Sequence, residues 1–264
     1  MAIRALSVYL GSEAARRIER EGWSADLFSL LLGASGGPKW FILARLDRLL
    51  FGDFLQRSER TLSVLGSSIG SWRHACLAMP DPLAALDALE AAYLNQHYTS
   101  KPTAAEVSAV SRDILRRVLG DSGAGVLANH PRIHTHIVTA RGRGPAAASA
   151  SPLLATAMGA AGLGNAISRR LLSAQFQRVV FHSQDAANPG LALDDFATRY
   201  CRLREDNVEA ALHASGAIPF VLTGERDIAG APPGQYWDGG IIDYHFDLGQ
   251  YCGEGLMLYP HFSA

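Results

Sequence analysis

The sequence predicts an α/β protein, a three-layer α/β/α sandwich around a central, mostly parallel sheet. Two observations lead there. Short apolar runs bounded by Gly, Pro or polar residues alternate along the chain with stretches of helical periodicity. A length of 264 residues, with 48% of them apolar and 19% charged, suffices to bury one large core, so a single domain over residues 1–264 is expected.

Taken in order, residues 3–9 are short, apolar and polar-bounded, and read as the first strand. Residues 12–21 carry a helical pattern, 27–32 a strand, and 38–50 a helix opened by Pro38, whose missing donor suits the first helical position. A strand over 61–65 precedes helices over 71–79, 82–98 and 104–119, the last with Val107, Val110, Ile114 and Val118 on one face. Strands follow over 133–139, 178–182 and 256–259. Loops are signalled by Gly and Pro at 122–125, 141–145, 188–190 and 231–234. The uncharged stretch 144–168 is broken by Pro145, Pro152, Gly159, Gly162 and Gly164 and is poor in bulky side chains. That composition favours a core helix over a transmembrane segment, an acyl tunnel or a bilayer contact. After the final strand only residues 260–264 remain, so no helix is left to cover that face, and either a partner or a C-terminal extension is expected there.

Composition narrows the function. A formal net charge of -1, with Lys+Arg 24 against Asp+Glu 25, gives no basic excess for a nucleic-acid backbone. The widely spaced Cys76, Cys201 and Cys252 fit neither a disulfide framework nor a zinc site. Glu13 and Arg16 come too early for a secretory signal. A cytoplasmic protein, with peripheral membrane contact as a further candidate, is the expectation. No metal is implied, since the polar residues of Asp243-Tyr244-His245-Phe246-Asp247 alternate as one strand face would without any ion.

Four local patterns carry chemistry. In Gly66-Ser67-Ser68-Ile69-Gly70 an apolar strand runs into Gly-x-Ser-x-Gly and then into a helix. That is the context of a nucleophile elbow, where a tight turn holds the central Ser68 proud of the sheet and flanking glycines let backbones pass closely. In Gly33-Ala34-Ser35-Gly36-Gly37-Pro38-Lys39-Trp40 a second strand meets a helix through small residues, which lets backbone N–H groups converge as an anion cradle, the alternative being a glycine turn that serves close helix packing. A phosphate-binding loop fails there, because Pro38 and Trp40 stand where Gly and Ser/Thr are required. The N–H groups of Gly36 and Gly37 suffice for an oxyanion hole. Asp238-Gly239-Gly240 and Ala214-Ser215-Gly216-Ala217-Ile218-Pro219, each alone, read as turns.

As an ordered set over nearly the whole chain, these four patterns closely resemble the patatin-like phospholipase family. Ser35 and Trp40 depart from its usual glycine loop. The resemblance implies a lipid acyl-ester hydrolase with Ser68 as nucleophile, Asp238 as the base of a two-residue dyad, Gly36 and Gly37 as the oxyanion hole, and no cofactor. Gly66, Gly70, Gly239 and Gly240 support the motifs, and Lys39, Ile69 and His74 are candidate substrate contacts. Two alternatives stay open. A Ser-Asp-His triad carboxylesterase would take Asp238 or Asp243 with His245 or His261, in the chain order of α/β-hydrolases. A non-catalytic lipid-binding protein would keep the fold and lose the chemistry. Oligomeric state leaves no legible trace.

Overall fold

The computed structural model describes residues 6–148, 152–183 and 188–262. Helix α1 (Ser12–Glu21) leads to β1 (Phe28–Gly33), α2 (Ala44–Gly52), β2 (Leu62–Ser67), α3 (Ile69–Leu77), α4 (Pro82–Leu94), α5 (Ala104–Leu119) and α6 (Gly123–Asn129). Then come β3 (Ile133–Gly142), α7 (Pro152–Ile167), β4 (Phe176–His182), β5 (Thr198–Arg202), α8 (Val208–Ser215), β6 (Glu225–Arg226), β7 (Gln235–Asp238) and β8 (Leu256–Leu258). The strands form one eight-stranded sheet in the order β5-β4-β3-β2-β1-β8, with β7 pairing β3 and β6.

The sheet is mostly parallel: β8, β1, β2 and β3 run together, and β4 is antiparallel to β3. Both faces are apolar, as a sheet covered on both sides requires. Leu31, Val64, Ile137 and Val179 join the core shared with α2 to α6 and α8, while Leu30, Leu32, Leu65, Val138 and Val180 pack on the opposite side with Leu191, Leu193 and Phe246. Helix α7 docks through Leu154, Ala157 and Ala161 onto Phe176 and Trp237 but exposes Leu153, Ala155, Thr156, Gly159 and Ala160, so the expected core helix of the uncharged stretch is a surface-docked one, preceded by a 3-10 segment, Gly144–Ala147. Residues 149–151 of that stretch lie outside the described residues. Among the described residues no helix is long and apolar enough to cross a membrane.

Strand β3 positions the site. One edge pairs β4 along residues 136–142; the other pairs β2 up to Ser67↔Val138 and then β7 from Thr139↔Asp238. Because β2 is parallel to β3 and β7 antiparallel, the two short strands run toward each other along one edge and meet end to end. Ser67 and Asp238 are thus set opposite consecutive β3 residues although they are far apart in sequence.

Several expectations are corrected. Residues 6–10 have no regular structure and are exposed, the place beside β1 being taken by β8; residues 3–5 lie outside the described residues. The expected helix over 38–50 divides into a 3-10 segment, Gly37–Ile42, and α2. The expected loop at 122–125 opens α6, where a side-chain carbon on Gly123 would come within 2.8 Å of Met79 Sδ. Glycine serves close packing there. The last strand does not lie bare: Leu256 packs with Leu27, Phe28 and the Ala14 and Ile18 side chains of α1, while Met257 and Tyr259 pack on the other side.

Candidate active site

Ser68 forms the turn between β2 and α3 with φ 54° and ψ −129°, a backbone conformation that side chains avoid and that persists only when surroundings enforce it. The enforcement is visible. A side-chain carbon on Gly66 would lie 2.6 Å from Ser71 N, and one on Gly70 would fall on the Gly33 carbonyl. The Ser68 N–H donates to Ser215 Oγ (2.9 Å), and Ser215 donates in turn to the Val138 carbonyl (2.7 Å). With its one proton committed to Val138, Ser215 accepts from Ser71 Oγ at 3.0 Å. The end of α8 therefore fastens the elbow to β3.

At the end of β7, Asp238 donates its N–H to the Ala217 carbonyl (3.0 Å). Its Oδ2 accepts from Ser68 Oγ at 2.8 Å and its Oδ1 from the Gly240 N–H at 2.6 Å. Ser68 and Asp238 are each only 5% exposed. Burial pushes the Asp238 carboxyl up to about 7, against the opposing pull of the Ser68 hydroxyl and the Gly240 N–H. Gly239 lies against the Val138 carbonyl, and a side-chain carbon on Gly240 would come within 2.9 Å of Ser35 Cβ. The aspartate turn is thereby pressed onto the glycine loop that leaves β1. In that loop the Ser35 N–H donates to the Tyr244 carbonyl (3.1 Å), and Gly37 takes φ 53° at the start of the 3-10 segment.

A family model described as patatin-like phospholipase matches residues 34–245, from the glycine loop past the aspartate turn. The chain belongs to the patatin-like phospholipase family. Comparisons with curated proteins and with solved structures found no match.

The other residues singled out in this patatin-like chain sort by burial. Lys39 is exposed at the mouth of the glycine loop. Ile69 is buried in the core cluster, and His74 is buried behind Gly33, where desolvation holds its imidazole well below the ordinary histidine range. Asp243, the other aspartate of the triad alternative, binds arginine instead: Arg178 Nε donates to its Oδ2 (2.7 Å) and Arg178 Nη2 to its Oδ1 (2.8 Å), with Arg169 also on Oδ1. His245 Nδ1 lies 3.0 Å from His261 Nε2. Arg141 donates to the Pro233 carbonyl and Arg143 to that of Ser173, so both close loops. Sequence reasoning missed the part played by Ser215, the Arg178–Asp243 clamp and the nearness of Phe262 to Gly36. The signal for Ser215 was the Ala214-Ser215-Gly216-Ala217-Ile218-Pro219 pattern, which read alone as a helix end and a turn.

Proposed function

We propose that this chain is a serine acyl-ester hydrolase acting on lipid, with Ser68 as nucleophile, Asp238 as base and the amides of Gly36 and Gly37 as the oxyanion hole. The observation that carries the reading is the 2.8 Å hydrogen bond from Ser68 Oγ to Asp238 Oδ2 on a strained elbow. Asp238 takes the hydroxyl proton as Oγ attacks the ester carbonyl, and the glycine amides hold the negative oxygen that forms. Collapse breaks the ester bond; the leaving alcohol takes the proton from Asp238, and the acyl group stays on Ser68. Water, giving its proton to Asp238, then attacks the acyl-enzyme; as the acyl–Oγ bond breaks, Asp238 returns that proton to Ser68 Oγ and the acid leaves. The positive end of α3 lies beneath the nucleophile and favours the anionic stages.

A carboxyl held near 7 supports this assignment, since a base of ordinary carboxylate strength would be poorly matched to a serine proton. Peripheral lipid contact belongs to the same reading: Ile218, Phe220 and Val221 are exposed in the turn that follows Ala217, the residue bonded to Asp238. Unpaired Cys76, Cys201 and Cys252 accord with a reducing, cytoplasmic setting.

The test is covalent labelling with a fluorophosphonate, alongside hydrolysis of a panel of acyl esters. Wild type is expected to label and turn over. Ser68→Ala should do neither, and Asp238→Asn should fall by about a thousandfold or more with its fold intact. Near-normal turnover by the Asn variant would assign the base elsewhere.

A further inference from the structure

The glycine loop is covered. A side-chain carbon placed on Gly36 would fall on the ring of Phe262, whose Cε atoms lie at 3.0 and 3.1 Å from it. The phenyl ring therefore rests directly on the Gly36 backbone. An ester that uses the Gly36 and Gly37 amides must bring its carbonyl oxygen to about 3 Å from them. The ring lies against the Gly36 backbone, and Ser68 and Asp238 are each 5% exposed.

The segment is led there and held there by identifiable contacts. Parallel pairing of β8 with β1, ending at Leu31↔Leu258, carries the chain to the end of the sheet from which the glycine loop departs. Pro260 is buried, and His261 stacks on Phe262 with ring centroids 5.4 Å apart at 10°. His261 Nε2 lies 3.0 Å from His245 Nδ1. The neighbour of His245, Tyr244, accepts the Ser35 N–H of the glycine loop. One short hydrogen-bonded contact thus joins the two segments that flank the loop.

We infer that Phe262 is a specificity-determining residue, which controls access of esters to Ser68 and is latched over Gly36 by the His261–His245 contact. The inference rests on the hydrolase reading above. With the ring on Gly36 the binding-competent form is a minor population, so apparent affinity for an ester is reduced by the fraction that is open. Bulky acyl groups, which need the ring fully displaced, bear the largest reduction.

The experiment uses the full chain as wild type, Phe262→Ala, Phe262→Trp, His245→Ala and Ser68→Ala. Thermal unfolding first establishes that each variant is folded. Fluorophosphonate labelling rates and kcat/KM for p-nitrophenyl butyrate and palmitate are then compared. Phe262→Ala is expected to raise labelling and palmitate kcat/KM by about tenfold or more, with a smaller gain on butyrate. His245→Ala should give part of the same gain, and Phe262→Trp none. Wild-type labelling rates in Phe262→Ala and His245→Ala, with Ser68→Ala unlabelled, would overturn the access role and leave the hydrolase reading standing. Absence of labelling in every variant, or labelling that persists in Ser68→Ala, would overturn both.

Discussion

Asp238 is asked to be both buried and basic, and the two demands pull its carboxyl in opposite directions. Desolvation raises it, while hydrogen bonds from Ser68 and Gly240 lower it, and burial wins. Under the proposed chemistry the base must be ionised, so kcat/KM should rise with pH through about 7 and level off above. Stability should move the other way. Between the unfolded value of about 3.9 and the folded value the native state holds the extra proton, so stability falls as pH rises across that window. Asp238→Asn can still accept the Gly240 N–H through its oxygen and, with the direction reversed, donate its NH2 to Ser68 Oγ, and it never bears the charge. It is therefore expected to melt several degrees above wild type at about pH 8, by a few kcal/mol at most, and at the same temperature near pH 4. Calorimetry at the two pH values checks this; a difference that does not change with pH would trace the effect to some other property of the substitution.

The secondary-structure elements show which parts of the fold the sequence made legible. Helices α1 and α5 keep their expected bounds, and strands β1 to β4 and β8 lie where apolar runs announced them, because burial of both sheet faces writes itself as continuous hydrophobicity. Edge strand β5, Thr198–Arg202, is half polar and gave no such signal. Strand β7 is only Gln235–Asp238, and its final Asp-Gly reads locally as a turn. The candidate site was legible to the extent that glycine is chemically demanding: Gly66, Gly70 and Gly239 sit where backbones nearly touch, and Gly240 where the Ser35 side chain presses in. The motif around Ser215 was legible but its role was not, since that role lies in contacts with Ser68 and Val138, which are remote in sequence. Ser215→Ala would leave a buried N–H and a buried carbonyl without that partner at the joint of α8, β3 and the elbow. The expected cost is about 1–3 kcal/mol of stability, read from urea midpoints, with a larger loss in kcat than in KM. A loss confined to stability would show that the elbow holds its shape without α8.

Across the molecule, among the described residues, two ion pairs placed where water cannot reach join elements that flank the site. Arg178 on β4 and Asp243 beyond the aspartate turn are 1% and 2% exposed; Arg73 on α3 and Asp47 on α2 are 1% and 0%. The second pair bridges the helix that carries the elbow and the helix that follows the glycine loop, so it fixes the two halves of the candidate site relative to each other. Neither pair could be read from the sequence, since Arg73 and Asp47 look like two more surface charges until the helices are packed. Bringing these ions together out of water is costly and is offset by bidentate geometry, which is why removing one partner is worse than removing both. Asp47→Ala should strand a buried guanidinium and lower stability by about 3–5 kcal/mol, whereas Asp47→Leu combined with Arg73→Met should recover most of it. Urea unfolding of the single and double variants measures both. If the double variant is as unstable as the single one, the charges are contributing more than they cost. If instead it is stable yet hydrolyses esters poorly, the pair acts chiefly to hold α2 and α3 in the register that the elbow and the glycine loop require.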